Sequence, residues 1–116
     1  MRLTFSYLPT RDLGASLRLY RDTLGFDELW REGDHTVGLA LPDTDVALMI
    51  DAAAPPDWGP GPIFGVDRVS AFRAEHDDLE VVAEPQEIPG GMIMALRDPG
   101  GNLVYLLDQS ADAPPG

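Results

Sequence analysis

Two residue types are missing from this chain of 116 residues: it has no cysteine and, because all eight of its basic residues are arginine, no lysine. Without cysteine there is no thiol nucleophile, disulfide frame, iron-sulfur cluster or cysteine-based zinc site. Without lysine there is neither a Walker-type phosphate loop nor a lysine Schiff base. Long apolar runs are missing too. Nowhere do about 18 apolar residues stand together, and the opening MRLTFSYLPTRD lacks the apolar core and small-residue cleavage site of a secretory signal. The expectation is a cytoplasmic protein that makes no use of a membrane. Positive charge is scarce: 20 acidic residues against 8 basic give a formal charge of -12. That field repels phosphate backbones, so no nucleic acid partner is expected, whereas a cationic small molecule is drawn in.

What is present suffices for a core. Hydrophobic residues make up 44% and aromatics 8%, which sets the chain apart from the disordered class, and its length fits one domain. Leu3, Phe5 and Tyr7 alternate with Thr4 and Ser6, predicting a strand over 2–8 that stops at Pro9. Asp12 then precedes Leu13, Leu17, Tyr20 and Leu24, one face of a helix with an aspartate cap and Gly25 as its stop. Three short apolar runs follow, 26–31, 35–41 and 45–50, parted by Gly33-Asp34 and Pro42-Asp43.

The segment 52–62, AAAPPDWGPGP, continues neither helix nor strand and reads as a linker. Beyond it comes a strand over 63–66 and a helix capped near Asp67 that shows Val69, Phe72, His76 and Leu79 on one face. Strands over 79–83, 92–97 and 103–107 complete the order. Each half is βαβββ, with module one at about 1–54, module two at about 61–110, and 111–116 expected to be a disordered tail. Laying Ala40–Asp51 on Arg97–Asp108, at an offset of 108 − 51 = 57, matches Pro42 with Pro99 and Asp51 with Asp108, which points to a duplicated module.

Two stretches, RDLGASLRLYRDTLGF at 11–26 and RDPGGNLVYL at 97–106, resemble the first-helix and last-hairpin signatures of the vicinal oxygen chelate superfamily. That superfamily includes glyoxalase I, extradiol dioxygenases and bleomycin-resistance proteins. The resemblance implies an α+β fold in which two tandem βαβββ modules form a curled mixed sheet around a cavity, and it implies a homodimer. It also implies metal-ligand positions on the first and last strand of each module, which fall on Phe5, Leu48, Gly61 and Tyr105. Zinc, nickel, manganese and iron need imidazole or carboxylate donors, and none of the four residues offers one. No metal and no other cofactor is therefore expected.

If Phe5 and Tyr7 face the cavity, period two places Leu48 and Tyr105 there as well, giving an apolar, aromatic pocket for the flat part of a small molecule. The other reading is that these side chains only fill the core. Trp58, in the linker, either closes the pocket or pins the linker, and Trp30 lies on the second strand. His35, beside the Gly33-Asp34 turn, suits an acid, a base or a hydrogen-bond donor. His76 suits a structural place at the end of the second helix. The binding candidates are thus Phe5, Tyr7, Trp30, His35, Leu48, Trp58 and Tyr105, with no catalytic or metal-binding residue assigned. Asp43, Asp45, Asp77 and Asp78 read as solvated turn acids, and Arg97 as the partner of a nearby acid. The leading expectation is a metal-free protein that binds a small molecule, such as a cationic antibiotic, in the manner of the bleomycin-resistance proteins. The alternatives are an enzyme of the same superfamily using Tyr105 or His35 as acid or base, and a partner-binding module.

Overall fold

The computed structural model of the chain describes residues 1–110, so the expectation of a disordered tail at 111–116 lies outside the described residues. The chain divides into two compact units, one of Thr4–Gly61 and the other of Pro62 onward together with Met1–Leu3. Each carries one strand, one helix and three further strands, the βαβββ order expected, and the fold is of the mixed α+β class.

In the first unit, β1 (Arg2–Pro9) is followed by α1 (Leu13–Leu17), then by β2 (Glu28–Glu32), β3 (Thr36–Ala40) and β4 (Ala47–Asp51). The strands stand in the order β2-β3-β4-β1, with β1 parallel to β4 and the other pairs antiparallel. Asp12 caps α1 as its sequence predicts: its Oδ1 accepts the Ala15 N–H at 3.0 Å. The helix does not stay α-helical to Gly25. Over Arg18–Thr23 it widens into a π-helical segment, and the Leu24 N–H reaches five residues back to the Leu19 carbonyl at 2.9 Å. Wider turns rotate later residues off the apolar stripe. Leu13, Leu17 and Tyr20 reach the core, but Leu24 stays 51% exposed, which corrects its expected place on that face. Gly25, at φ 83°, then takes the left-handed conformation that ends the helix.

In the second unit, β5 (Gly61–Gly65) leads to α2 (Val69–Glu75), β6 (Glu80–Ile88), β7 (Gly91–Arg97) and β8 (Leu103–Asp108). The order β5-β8-β7-β6 repeats that of the first unit, again with one parallel pair, β5 with β8. The first N–H of α2 is not met by Asp67. Its acceptor is Asp108 at the end of β8, whose Oδ2 receives the Val69 N–H at 2.7 Å across 39 residues of sequence. The Oδ1 of Asp108 takes the Met92 N–H at 3.1 Å, the Ser110 N–H at 3.2 Å and the Ser110 hydroxyl at 2.8 Å. Burial pushes this carboxyl up, but the donors on Val69, Ser110 and Met92 outweigh it and hold the group below the ordinary carboxylate value. α2 stops at Glu75, short of the expected Leu79, because the His76 backbone is extended while its Nδ1–H donates to the Phe72 carbonyl at 2.8 Å. The imidazole also stacks on the Phe72 ring at 4.2 Å, the structural place expected of His76.

Strand faces and exit bonds correct the repeat alignment by one residue. Leu48 and Ile50 face the helix in the first unit as Leu106 does in the second, and the Thr10 N–H meets the Asp51 carbonyl as the Val66 N–H meets that of Leu107, so Met49 corresponds to Tyr105 and the offset is 105 − 49 = 56. The two helix caps, Asp12 and Arg68, stand at the same separation. Asp51 and Asp108 are therefore not equivalent, and they do different work.

Candidate functional site

Side-chain alternation gives the Thr4–Gly61 sheet two unlike faces. One packs on the helix: Leu17, Val37, Leu39, Leu48 and Ile50 form a buried cluster there. The other is the aromatic face. Phe5 and Tyr7, paired with Ala47 and Met49, point away from that cluster. Trp30, paired with Gly38 on β3, meets the Phe5 ring edge-on at a centroid distance of 5.9 Å. Trp58, from the Pro-rich segment, meets Tyr7 in the same way at 6.1 Å. Gly38 makes this possible, since a Cβ there would stand 2.3 Å from Cε2 of Trp30.

Polar groups converge at the edge of the aromatic face. Asp51, the last residue of β4, pairs with Thr36 across the strands and with Pro9 along β1. Its Oδ2 accepts the Tyr7 hydroxyl at 2.5 Å, and its Oδ1 accepts the Thr36 hydroxyl at 3.0 Å and the Ala53 N–H at 2.8 Å. Thr36 Oγ1 is in turn 2.5 Å from Nδ1 of His35. Tyr7 is only 1% exposed, so its phenol holds Asp51 in place from within the fold. His35, Trp30 and Trp58 are half-buried and keep open surface.

Beside this cluster lies a cavity of about 410 Å³, lined by Pro9, Thr10, Arg11 and Trp58 together with Ala52, Ala54, Pro55 and Pro56 of the linker. It is of the size that takes a small organic molecule. Trp58 supplies its aromatic wall and Arg11 its charged group. A second cavity, of about 430 Å³, belongs to the other unit, where Leu79, Leu96 and Val104 line it along with Asp78, Glu80 and Arg97. Arg97 lies 3.2 Å from Glu80 and donates to the Gly101 carbonyl at 3.0 Å, the acid pairing expected of it.

Of the seven residues singled out from sequence, five come together: Phe5, Tyr7, Trp30, His35 and Trp58. Leu48 does not join them. Parallel pairing with β1 puts Ala47, Met49 and Asp51 beside Phe5 and Tyr7, and turns Leu48 to the helix, so the expectation that it shares their face is corrected. Tyr105 belongs to the second unit, where it is fully buried. Thr36, Asp51 and Arg11 were not singled out. The signal for Asp51 was present, since it lies two residues beyond Met49 on the face of Tyr7, but only the strand register reveals it.

The register also bears on metal binding. The residue corresponding to Tyr105 is Met49 instead of Leu48, and a thioether is too soft and weak a donor for zinc or manganese. Among the described residues, no three His, Asp or Glu side chains gather in a way that would hold a metal ion. The residues at these positions do not fit a divalent cation.

A family model described as the glyoxalase/bleomycin resistance protein/dioxygenase superfamily matches residues 3–106. The chain belongs to that superfamily. Similar solved structures include a variant of Streptomyces coelicolor methylmalonyl-CoA epimerase in complex with 2-nitronate-propionyl-CoA. It is 24% identical, with 99% of each chain covered and a TM-score of 0.75. Methylmalonyl-CoA epimerase from Mycobacterium tuberculosis is 22% identical, covering 97% of this chain and 89% of that one, with a TM-score of 0.67. A superfamily member from Vibrio splendidus 12B01 is 20% identical, covering 92% and 97%, with a TM-score of 0.63. At these identities the likeness is one of fold. No curated protein gives a significant sequence match. Among the described residues, no helix is long and apolar enough to cross a membrane.

Proposed function

We propose that this superfamily member binds a small organic molecule without a metal ion, and that the ligand seats against Trp58 in the cavity next to the aromatic face. The observation that carries this reading is the convergence of Phe5, Tyr7, Trp30 and Trp58, from two strands and the linker, on the side of the sheet that the helix leaves free. Aromatic faces gain most from flat, weakly hydrated partners. The charge of -12 favours encounter with cationic molecules, the basic aromatic and glycopeptide antibiotics among them, with the cationic group held on the acidic surface and the flat part in the cavity that Trp58 and Arg11 line. Sequestration needs no chemistry, because a bound drug is no longer free.

The test uses the two tryptophans as reporters. A panel of basic glycopeptide, aromatic and peptide antibiotics is titrated into micromolar protein while Trp emission is followed. At least one saturable change, reduced in Trp58→Phe, is expected. A flat response across the panel refutes sequestration of these drugs.

A second reading, catalysis without a metal, is favoured by the hydrogen-bonded chain from His35 through Thr36 to Asp51. The epimerases of the same fold are enzymes, which is in keeping with it. A turnover lost in His35→Ala and kept in Tyr105→Phe would assign that chemistry to the His35 cluster.

A further inference from the structure

Hydrogen-bond arithmetic around Thr36 fixes which nitrogen of His35 carries the proton. An ionised carboxylate only accepts, so the single hydroxyl proton of Thr36 goes to Asp51 Oδ1 at 3.0 Å. Thr36 Oγ1 then has only lone pairs for His35 Nδ1, which lies 2.5 Å away, and Nδ1 must be the donor. Asp51 is held in its accepting role by the Tyr7 hydroxyl at 2.5 Å and the Ala53 N–H at 2.8 Å. In the neutral ring this leaves Nε2 with its lone pair. Gly33, at φ 53°, lies beside that edge of the ring: a Cβ there would stand 3.3 Å from Cδ2 and 3.4 Å from Nε2, so glycine leaves the edge without a side-chain contact. His35 itself is half-buried and keeps open surface.

We propose that Thr36 and Asp51 lock His35 in the Nδ1–H form, and that Nε2 is thereby presented as a proton-accepting site for a small molecule carrying an acidic hydrogen, such as a phenol, an enol or a carbon acid next to a carbonyl. The proton passes from the ligand to Nε2. The ligand keeps the electron pair as an anion, and the imidazolium so formed is stabilised through Thr36 by the Asp51 carboxylate. Thr36 and Asp51 are positioning residues, since they act through His35. The ligand arm of this proposal rests on the small-molecule reading above, whereas the tautomer arm stands without it.

Long-range ¹H–¹⁵N NMR of histidine-labelled protein tests both. Spectra are taken at alkaline pH to keep imidazole neutral, and the two histidines are assigned with His76→Gln. Wild type is expected to show His35 with a protonated Nδ1 and a pyridine-like Nε2, as is Thr36→Ser. Thr36→Val, which keeps the shape but loses the oxygen, is expected to shift His35 to the Nε2–H form that dominates for a histidine side chain in water. The His76 ring, whose Nδ1–H is tied to the Phe72 carbonyl, reports that the fold is intact. A wild-type His35 protonated on Nε2 overturns the proposal outright, even if Thr36→Val fails to fold.

For the ligand arm, phenol and its methyl ether anisole are compared. Phenol is expected to move the His35 Nε2 resonance, and anisole to leave it in place while still changing Trp emission. Equal shifts from both, or none from phenol, overturn the acceptor role. Absence of any Trp response to either probe would instead count against the small-molecule reading on which this arm rests.

Discussion

Replacing Asp108 by asparagine tests how much one carboxylate does for the second unit. The side chain is 3% exposed and receives four hydrogen bonds, from the N–H groups of Val69, Met92 and Ser110 and from the Ser110 hydroxyl. Asparagine keeps one accepting oxygen. With that oxygen on the Met92 and Ser110 side, its NH₂ faces the Val69 N–H, and two donors meet at the buried start of α2. An unsatisfied buried N–H costs about 1–3 kcal/mol, and bonds to a neutral acceptor are weaker than those to a charged one, so the total loss is about 2–4 kcal/mol. For a chain of this length that is a fall in Tm of about 8–15 °C. Urea denaturation followed by far-UV circular dichroism measures it directly.

The pH dependence has a definite sign. Because the folded carboxyl lies below its ordinary value of 3.8, Asp108 contributes its stability in full above that value and loses it as pH falls through the lower folded value. The gap between wild type and Asp108→Asn should therefore close in acid and hold steady from weakly acidic to neutral pH. A loss under about 0.5 kcal/mol at neutral pH, the ordinary range for a surface substitution, would refute this account of the cap.

Two glycines give sharper tests of close approach. A Cβ on Gly91 would stand 2.0 Å from the Asp108 carbonyl oxygen, so Gly91→Ala must part β7 from β8. It is expected to cost more than about 3 kcal/mol in urea denaturation, and a loss under about 1 kcal/mol would contradict the register. Gly38→Ala meets the Trp30 ring instead, which can turn aside. A loss of about 1–3 kcal/mol is expected, with red-shifted emission that is absent when Trp30→Phe is added, and unchanged emission would show that Trp30 does not lie on Gly38.

Features set by near neighbours were legible in the sequence. Asp12 caps a helix three residues away, Gly25 ends it, and the turn from Asp98 to Asn102 closes on itself, with both Asp98 oxygens bound to Asn102. Features set by pairing were not. Alternation along β4 tells that Leu48 and Met49 face opposite ways, but which of them joins Tyr7 depends on the parallel register with β1, a choice no local pattern encodes. The same slip of one residue paired Asp51 with Asp108 and hid the separate tasks of the two. The widening of the first helix was also hidden, because Leu24 fits an α-helical stripe as well as it fits none. In the candidate site, aromatic residues announced themselves by type, while Thr36 and Asp51 gained their meaning only from the residues they touch.

Asp108 also imposes an order of events. On a growing chain, Val69 is made 39 residues before the carboxylate that receives its N–H. α2 is only seven residues long, too short to persist by itself. The second unit therefore cannot secure its helix until nearly its whole length has been synthesised, and its assembly waits on the last strand. Truncations ending before Asp108 should leave α2 unformed even though every residue of that helix is present.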